Sequence, residues 1–257
     1  MTSEELYVFP LVLVFIFLIG IVIGSFLNVC IYRIPKKEDI ALSRSHCMSC
    51  GYQLKWYDLI PLFSYLFLKG KCRKCRTKIS PQYPIIEGMN GVLYIVICLI
   101  NGFNWESIIY CLMASALLTL SVIDFRTYEI PFGINVFLFI LGIIHTILDY
   151  PNWLLYVIGM ISVSLFLQLL FWGSGGRAIG GGDIKLMFAC GLIIGWKNII
   201  LAFLIGCIVG SIIHLIRMKV SGEQHVLAMG PYLSLGILIS ALYGNDLIHW
   251  YLTSMMK

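Results

Sequence analysis

The sequence predicts an all-α polytopic membrane protein with about eight transmembrane helices and a small cytoplasmic, zinc-ribbon-like tetracysteine loop. Of the 257 residues, 60% are hydrophobic and only 12% are charged, whereas soluble domains carry about 25% charged residues. The apolar residues fall into long runs, and two Cys-x-x-Cys pairs lie in the longest polar interval. These observations exclude an ordinary soluble domain.

Eight apolar segments cover most of the chain and are separated by turn residues such as Asn101-Gly102. The segments are Leu6–Val29, Ile85–Ile100, Trp105–Ile123, Ile130–Leu148, Trp153–Trp172, Ile184–Gly195, Asn198–Ile216 and Ala228–Tyr243. The sixth has about twelve residues, or ~18 Å of helix, and a bilayer core is ~30 Å thick. It is therefore too short to span a membrane alone.

The positions of the basic residues predict the orientation of the chain. With the N-terminus outside, all but Lys197 and Lys257 of the 18 Lys and Arg residues face the cytoplasm, as the positive-inside rule requires. The first segment follows Glu4 and Glu5 rather than basic residues and has no A-x-A-like cleavage site. We interpret it as an uncleaved anchor.

Two acidic residues lie at the cytoplasmic ends of predicted helices. Asp124 ends the third segment, and Asp183 opens the sixth within Gly180-Gly-Gly-Asp-Ile-Lys-Leu186. An acid within the membrane is a functional candidate, because its insertion costs ~2.5–3.5 kcal/mol at a helix centre. The alternative for Asp183 is a helix cap that accepts the N–H groups of the first turn. We hypothesise that Asp183 lies below the headgroups in a cleft, where the glycines leave room for a substrate backbone.

Paired carboxylates have a clear chemical use in amide hydrolysis. Two neighbouring acids share a proton, so one draws a proton from the attacking water while the other polarises the carbonyl oxygen. From spacing alone, an ion pair with Lys185 or Arg126 and a proton or cation pathway of a transporter stay open. No G-x-S-x-G or H-E-x-x-H motif supports another hydrolytic scheme. Among the histidines only His225, on the cytoplasmic side, is retained as a candidate.

The cytoplasmic loop carries a predicted metal site. Cys47 and Cys50 are separated by 21 residues from Cys72 and Cys75, a spacing typical of four-thiolate zinc sites. Zinc would close a loop that has too little core to fold alone. The alternative is four reduced cysteines that pack as small hydrophobes, the role expected for the cysteines of the apolar segments.

Two further features of the loop indicate contact with the membrane. Trp56 to Leu68 is apolar but short, which favours a segment lying on the bilayer rather than crossing it. The basic cluster between Lys69 and Lys78 is expected to meet anionic lipid headgroups. No nucleic-acid recognition motif accompanies it, so nucleic acid is not predicted as a partner.

Three G-x-x-x-G steps lie in the apolar segments: Gly20/Gly24, Gly191/Gly195 and Gly206/Gly210. Small residues at this spacing allow helix backbones to approach closely. We predict that they serve packing within one chain, while self-association stays open.

These motifs together resemble the bacterial type IV prepilin peptidases, also called leader peptidase/N-methyltransferases, which are membrane aspartic proteases with a G-x-G-D motif. The resemblance covers most of the chain and follows the order of the family. The motifs that carry it are Gly24-Ser-Phe-Leu-Asn-Val-Cys-Ile-Tyr-Arg-Ile-Pro35, Ser45-His-Cys-Met-Ser-Cys50, Trp56-Tyr-Asp-Leu-Ile-Pro61, Gly70-Lys-Cys-Arg-Lys-Cys75, Ile79-Ser-Pro-Gln-Tyr-Pro-Ile-Ile-Glu87, Asp124 with Pro131, and Gly180-Gly-Gly-Asp-Ile-Lys-Leu186.

The resemblance implies both an activity and its residues. Such enzymes remove the leader from prepilins and pseudopilins at the cytoplasmic face of the inner membrane. Many then methylate the new N-terminal residue with S-adenosylmethionine. Asp124 and Asp183 correspond to the catalytic pair, and the four loop cysteines correspond to the structural or zinc-binding set linked with the methyltransferase half. Residues 1–34 would then be an anchor, 35–84 the tetracysteine loop, and 85–257 the peptidase core.

The chain departs from the family pattern at three places. Leu59 stands where Asn is frequent, Phe132 follows Pro131 where Asp is common, and Ala228-Met-Gly-Pro-Tyr-Leu233 replaces a P-F-G-P-x-L element. None of these changes touches the two aspartates. These three changes affect what the resemblance implies about methylation and substrate choice. Apart from the resemblance, no motif in the sequence indicates a methyltransferase.

Overall fold

The computed structural model describes residues 3–40, 44–177, 179–221 and 227–255. Within these ranges the chain is helical apart from loops and two isolated β-bridges, His46 with Gln53 and Lys71 with Lys78. The chain forms two compact units, Met1–Ser107 and Ile108–Lys257. The predicted all-α membrane architecture with a tetracysteine loop is confirmed.

The described part of the first unit contains a long helix pair and the cysteine loop. Its helices are α1 (Ser3–Arg33), α2 (Phe63–Phe67) and α3 (Gln82–Asn101), with a 3-10 turn at Trp56–Asp58. The segment expected to lie on the membrane folds as this turn and α2, and its Trp56 and Phe67 side chains are 78% and 83% exposed. Exposed apolar side chains on a short helix suit a lipid surface. Contact with lipid stays a prediction.

Glycines bring α1 and α3 into backbone contact. A Cβ added at Gly20 would lie 2.7 Å from Gly91 Cα, and one added at Gly24 would lie 2.7 Å from Glu87 Cα. The Asn90 side chain also donates a hydrogen bond to the Gly20 carbonyl at 2.8 Å. The prediction that this G-x-x-x-G step serves packing within the chain is confirmed.

The described part of the second unit contains five α-helices. They are α4 (Trp105–Thr127), α5 (Phe132–Leu148), α6 (Trp153–Gly173), α7 (Gly181–Ser221) and α8 (Gly230–Met255). The most buried of the candidate membrane spans is α4. Because α7 packs against α5, α6 and α8, it organises the unit.

A glycine kink divides α7 where the sequence predicted the end of the sixth segment. Gly195 has φ 76° and ψ 172°, a left-handed φ that favours glycine. Just before the kink, Gly191 crosses Gly159 of α6, and a Cβ on either glycine would overlap the carbonyl oxygen of the other. The backbone of Gly195 is not helical, so α7 consists of two helical parts that meet at this residue, as the separate sixth and seventh predicted segments require.

Five helices in the described ranges are long and apolar enough to cross a membrane, namely α1, α3, α4, α6 and α7, and α5 is a shorter apolar helix. The apolar stretch Gly181–Val220 of α7 is interrupted by the non-helical Gly195, so it is not one continuous helix across a bilayer. Beyond its predicted end, α8 continues to Met255 and carries Asn245 and Asp246 in that extension. The count of eight spans stays a prediction.

Because α6 and α7 cross in backbone contact, we expect the stability of the chain to fall when a larger side chain replaces a glycine at the crossing. Gly191→Val should lower the free energy of unfolding by about 1–3 kcal/mol, because overpacking forces backbone shifts. The measurement is thermal unfolding of the purified chain in detergent. Gly133→Val is the matched control, because a Cβ at Gly133 meets no atom within 4 Å. Equal unfolding midpoints for the two variants would contradict the packing argument.

Candidate active site and tetracysteine site

The structure brings Asp124 and Asp183 together within the second unit. Asp124 lies in the last turn of α4, and Asp183 lies in the first turn of α7. The two carboxyl groups interact electrostatically. The two helix ends predicted to share one side thus carry carboxyl groups near enough to interact, and a proton shared between them stays a prediction.

A backbone group from α8 holds the Asp124 carboxylate. Asp124 is 5% exposed, and its Oδ2 accepts a hydrogen bond from the Gly230 N–H at 2.8 Å. A Cβ added at Gly230 would lie 2.7 Å from the same oxygen. Only glycine therefore allows the first residue of α8 to approach Asp124 so closely.

Asp183 caps its own helix and keeps one oxygen without a partner. The Asp183 N–H donates to the Gly180 carbonyl at 3.2 Å, and its carboxylate accepts from the Gly180 N–H. The second bond is one half of a capping box, in which the third residue of the helix accepts the N–H of the residue before the helix. The first bond joins backbone atoms, because Gly180 has no side chain to complete the box. Within the described ranges, no group donates to the buried Asp183 Oδ1. The capping alternative and a chemical role are therefore compatible.

The glycines before Asp183 have different roles. A Cβ at Gly182 would lie 2.8 Å from Ile130 Cβ, so this glycine permits close packing on the α4–α5 connection. A Cβ at Gly181 would meet nothing within 4 Å. The expectation of room for a substrate backbone is therefore wrong for Gly182, because the Ile130 side chain fills that space, and it remains a proposal for Gly181.

The lysine and histidine residues near the two sites make other contacts or lie outside the described residues. Lys185 Nζ lies 5.3 Å from the centroid of the Phe132 ring, so this lysine faces an aromatic ring. His225 lies outside the described residues. His46 Nδ1 lies 3.3 Å from the Arg44 carbonyl oxygen, and His46 is not part of the cysteine cluster.

The two Cys-x-x-Cys pairs form matching knuckles. The Cys47 N–H donates to the Tyr52 carbonyl at 2.8 Å, and the Cys72 N–H donates to the Thr77 carbonyl at 2.9 Å. In the first turn Gly51 has φ 68°, and at the equivalent place in the second turn Arg76 has φ 60°. The two Cys-x-x-Cys turns thus have the same backbone geometry, and each places its two thiols on the same side of its turn.

The four sulfur atoms fit a single zinc ion. The Sγ atoms of Cys47 and Cys75 are 3.7 Å apart, and all four Sγ atoms lie within 4.8 Å of one another. Tetrahedral zinc with ~2.3 Å bonds places its sulfur ligands ~3.8 Å apart. Small shifts of the knuckles would therefore complete the coordination.

The pKa values of the thiols are consistent with a site that needs a cation. Backbone N–H groups lower the pKa of Cys47, and Thr77, through its hydroxyl and its N–H, lowers the pKa of Cys75 to about 6. The Tyr52 N–H lowers the pKa of Cys50, but desolvation and the neighbouring sulfurs outweigh it and raise the value to about 11. Zinc binds cysteines as thiolates, and neighbouring thiolates repel one another. A bound metal ion would offset that repulsion.

Asp58 braces the loop between the knuckles, a role that the sequence did not reveal. Its side chain is 2% exposed and pairs with Arg73 Nε at 2.7 Å. It also accepts hydrogen bonds from the Lys55 N–H and the Tyr52 hydroxyl. One buried carboxylate thus links the segment between the knuckles to both cysteine turns.

Gly230 and Glu87 were also missed as site residues, although both lie in motifs that the resemblance singled out. Gly230 belongs to the Ala228–Leu233 element and contacts Asp124 only through its backbone. Glu87 ends the motif that opens α3 and is 6% exposed. A contact made by a backbone N–H leaves no signal in the residue types of a single sequence.

Two family models match the chain. The Bacterial Peptidase A24 N-terminal domain matches residues 18–100, and the Type IV leader peptidase family matches residues 111–215. The first match includes the tetracysteine loop, and the second includes both aspartates. No solved structure matches the chain significantly.

Several relatives align over most of their length and share the name "Prepilin leader peptidase/N-methyltransferase". The protein of Xanthomonas campestris is 30% identical over 91% of this chain and 92% of its own. That of Aeromonas salmonicida is 29% identical over 94% of both chains. That of Myxococcus xanthus is 30% identical over 87% of this chain and 69% of its own.

The sulfur geometry predicts one zinc ion per chain. Cys72→Ser should lose this zinc, because the buried Cys72 supplies one of only four ligands. Elemental analysis of the purified full chain measures the metal content. Cys207→Ser, in α7 and outside the cluster, should keep the zinc of the wild type. Equal zinc content in the two variants would contradict the assignment.

Proposed function

Because the chain belongs to the type IV leader peptidase family, we propose that it removes leader peptides from type IV prepilins and pseudopilins and then methylates the exposed N-terminus. The chain aligns with relatives named for both activities over about nine-tenths of its length. The observation that carries the peptidase half is the carboxyl pair of Asp124 and Asp183 inside the matched segment 111–215.

We assign catalysis to these two acids. The ionised carboxyl group removes a proton from water as the water oxygen attacks the scissile carbonyl carbon, and the protonated carboxyl group donates to the carbonyl oxygen. The tetrahedral intermediate then collapses as the carbon–nitrogen bond breaks and the leaving nitrogen takes up a proton. A leader with a free carboxyl group and a mature chain with a free amine result.

The contacts of the pair support this role. The Gly230 N–H fixes Asp124 from one side, and the capping interaction fixes Asp183 on α7. Asp183 Oδ1 is buried and accepts no hydrogen bond from the described residues, so it keeps an acceptor position for a reacting group. Acids held on rigid helix ends meet the positional demands of a reaction that depends on orientation.

We place the chain in the bacterial inner membrane with its N-terminus outside and both acids at the cytoplasmic side. The distribution of Lys and Arg supports this orientation. The exposed apolar side chains around α2 and the basic residues after it suit contact with lipid on the same side.

We assign the methyltransferase activity to the first unit. Zinc, held by Cys47, Cys50, Cys72 and Cys75, ties the loop together and has a structural role. S-adenosylmethionine, when bound, supplies a methyl group through cleavage of its carbon–sulfur bond, and the neutral N-terminal amine accepts it with release of S-adenosylhomocysteine and a proton.

Removal of either acid should stop prepilin cleavage. Asp124→Asn and Asp183→Asn should each lower the cleavage rate at least about a hundredfold, because each removes one of two proton-transfer groups. The mass of a co-expressed prepilin reports cleavage and the added methyl group together. Uncleaved prepilin with normal membrane insertion of both variants is the expected result. Normal cleavage combined with altered ion flux would favour the transporter alternative instead.

Gly230 should be needed although its side chain is a hydrogen atom. Gly230→Ala should lower the cleavage rate about ten- to a hundredfold, because its Cβ displaces the Asp124 carboxylate. The same mass assay measures the effect. Gly133→Ala, where a Cβ meets no atom within 4 Å, is the matched control. If both glycine variants cleave equally well, Gly230 does not position Asp124.

A further inference from the structure

The first unit contains a partly open cavity of about 750 Å³ between the helix pair and the cysteine loop. Asn28 of α1, Glu87 of α3 and Ser64 of α2 line it, together with one cysteine from each knuckle, Cys47 and Cys72. Small-molecule sites usually have volumes of ~300–1,000 Å³ and apolar walls with a few convergent polar groups. The cavity therefore has the size of a nucleoside-binding site.

Glu87 is the most informative group in this cavity. It is 6% exposed, and its Oε2 accepts the Leu62 N–H at 2.8 Å, while Ser25 provides a second hydrogen bond. In the described part of the chain both partners are neutral. A carboxylate has about four acceptor positions, so about two remain for a ligand.

A buried carboxylate without a cationic partner is costly unless something positive compensates it. The other lining carboxylate that is buried, Asp58, already has Arg73 as its partner. Glu87 is also rigidly placed, because its Cα packs on Gly24 of α1. The cavity thus presents one fixed acceptor for a cationic group.

The other wall residues suit the remaining groups of a positively charged nucleoside, namely its base and a carboxylate. Tyr32, Tyr65 and Tyr83 line the cavity and offer flat apolar faces for a purine ring. Arg33, 8% exposed, also lines it and provides a positive charge for a carboxylate. A ligand with an adenine, a carboxylate and two cationic groups matches this set of charges and surfaces.

We propose that this cavity is the S-adenosylmethionine site of the chain and that Glu87 contacts the cationic part of the ligand. The assignment rests on the methyltransferase half of the proposed function. It also gives the tetracysteine site a specific role, since both knuckles contribute residues to the cavity wall, Cys47 and Cys72 among them, and bound zinc would hold the two knuckles together. Glu87 becomes a binding residue supplied by a long helix rather than by the loop, whereas the Asn28 side chain, which lines the same wall, is already hydrogen-bonded to Gly24, Tyr83 and Gln82.

The test measures binding to the zinc-loaded, detergent-purified full chain by calorimetry. The probes are S-adenosylmethionine, which carries a sulfonium cation, and S-adenosylhomocysteine, which lacks it but keeps the ammonium group. Glu87→Gln should raise the Kd for S-adenosylmethionine about tenfold or more, the typical effect of losing a hydrogen bond to a charged group. A smaller effect on S-adenosylhomocysteine would place Glu87 at the sulfonium, and an equal effect would place it at the ammonium.

A second variant tests the cavity without removing a charge. Ser64→Trp should abolish binding of both probes, because the indole fills the space that the ligand needs. Phe67→Trp on the same short helix is the control, since Phe67 is 83% exposed and is not part of the cavity wall. Zinc content and the thermal unfolding midpoint verify that each variant is folded.

The outcomes separate this assignment from the proposed function. If wild-type chain cleaves and methylates prepilin while nucleoside binding is unaffected by Glu87→Gln and Ser64→Trp, the cavity assignment is overturned and the proposed function stands. If wild-type chain cleaves prepilin but binds neither nucleoside, the assignment falls together with the methyltransferase half. Loss of binding in both variants, with the Phe67→Trp control unchanged, supports the assignment.

Discussion

Close approach of helix backbones is the constraint on which this structure depends. Gly20 and Gly24 bring α1 against α3, and Gly159 with Gly191 brings α6 against α7 at the level of carbonyl oxygens. In an apolar solvent the hydrophobic effect does not drive helices together, so close van der Waals contact and hydrogen bonding must do so. The same constraint shapes the acid pair, because Gly230 and Gly182 let α8 and the α4–α5 connection reach the ends that carry Asp124 and Asp183.

In the proposed mechanism, Asp124 and Asp183 combine structural and chemical roles in the same side chains. The Asp183 carboxylate accepts the Gly180 N–H at the start of α7, and among the described residues its Oδ1 has no hydrogen-bond partner. Asp124 is held by a backbone N–H rather than by a counter-ion. A neutral donor orients a carboxylate without cancelling its charge, which suits a group that must exchange protons during a reaction.

The first unit follows a different principle, because its loop has little apolar core of its own. Two knuckles with matching hydrogen bonds present four thiols, and the buried Asp58 links the intervening segment to both turns. Four thiols placed to bind one metal ion, together with one ion pair, thus organise a loop that has little hydrophobic packing. The helices α1 and α3 supply the buried Glu87 and Asn28 on the opposite wall of the cavity.

Local chemistry alone determined much of this protein. Apolar runs predicted the helices, the Cys-x-x-Cys spacing predicted a sulfur cluster within 4.8 Å, and the helix ends predicted that Asp124 and Asp183 share one side. Only the tertiary structure placed the Gly230 N–H on Asp124, filled the space beside Gly182 with Ile130, and left Glu87 facing a cavity with neutral partners. Periodicity and spacing report which residues share an element or a turn, whereas contacts across 106 residues, such as that of Gly230 with Asp124, depend on how the helices pack.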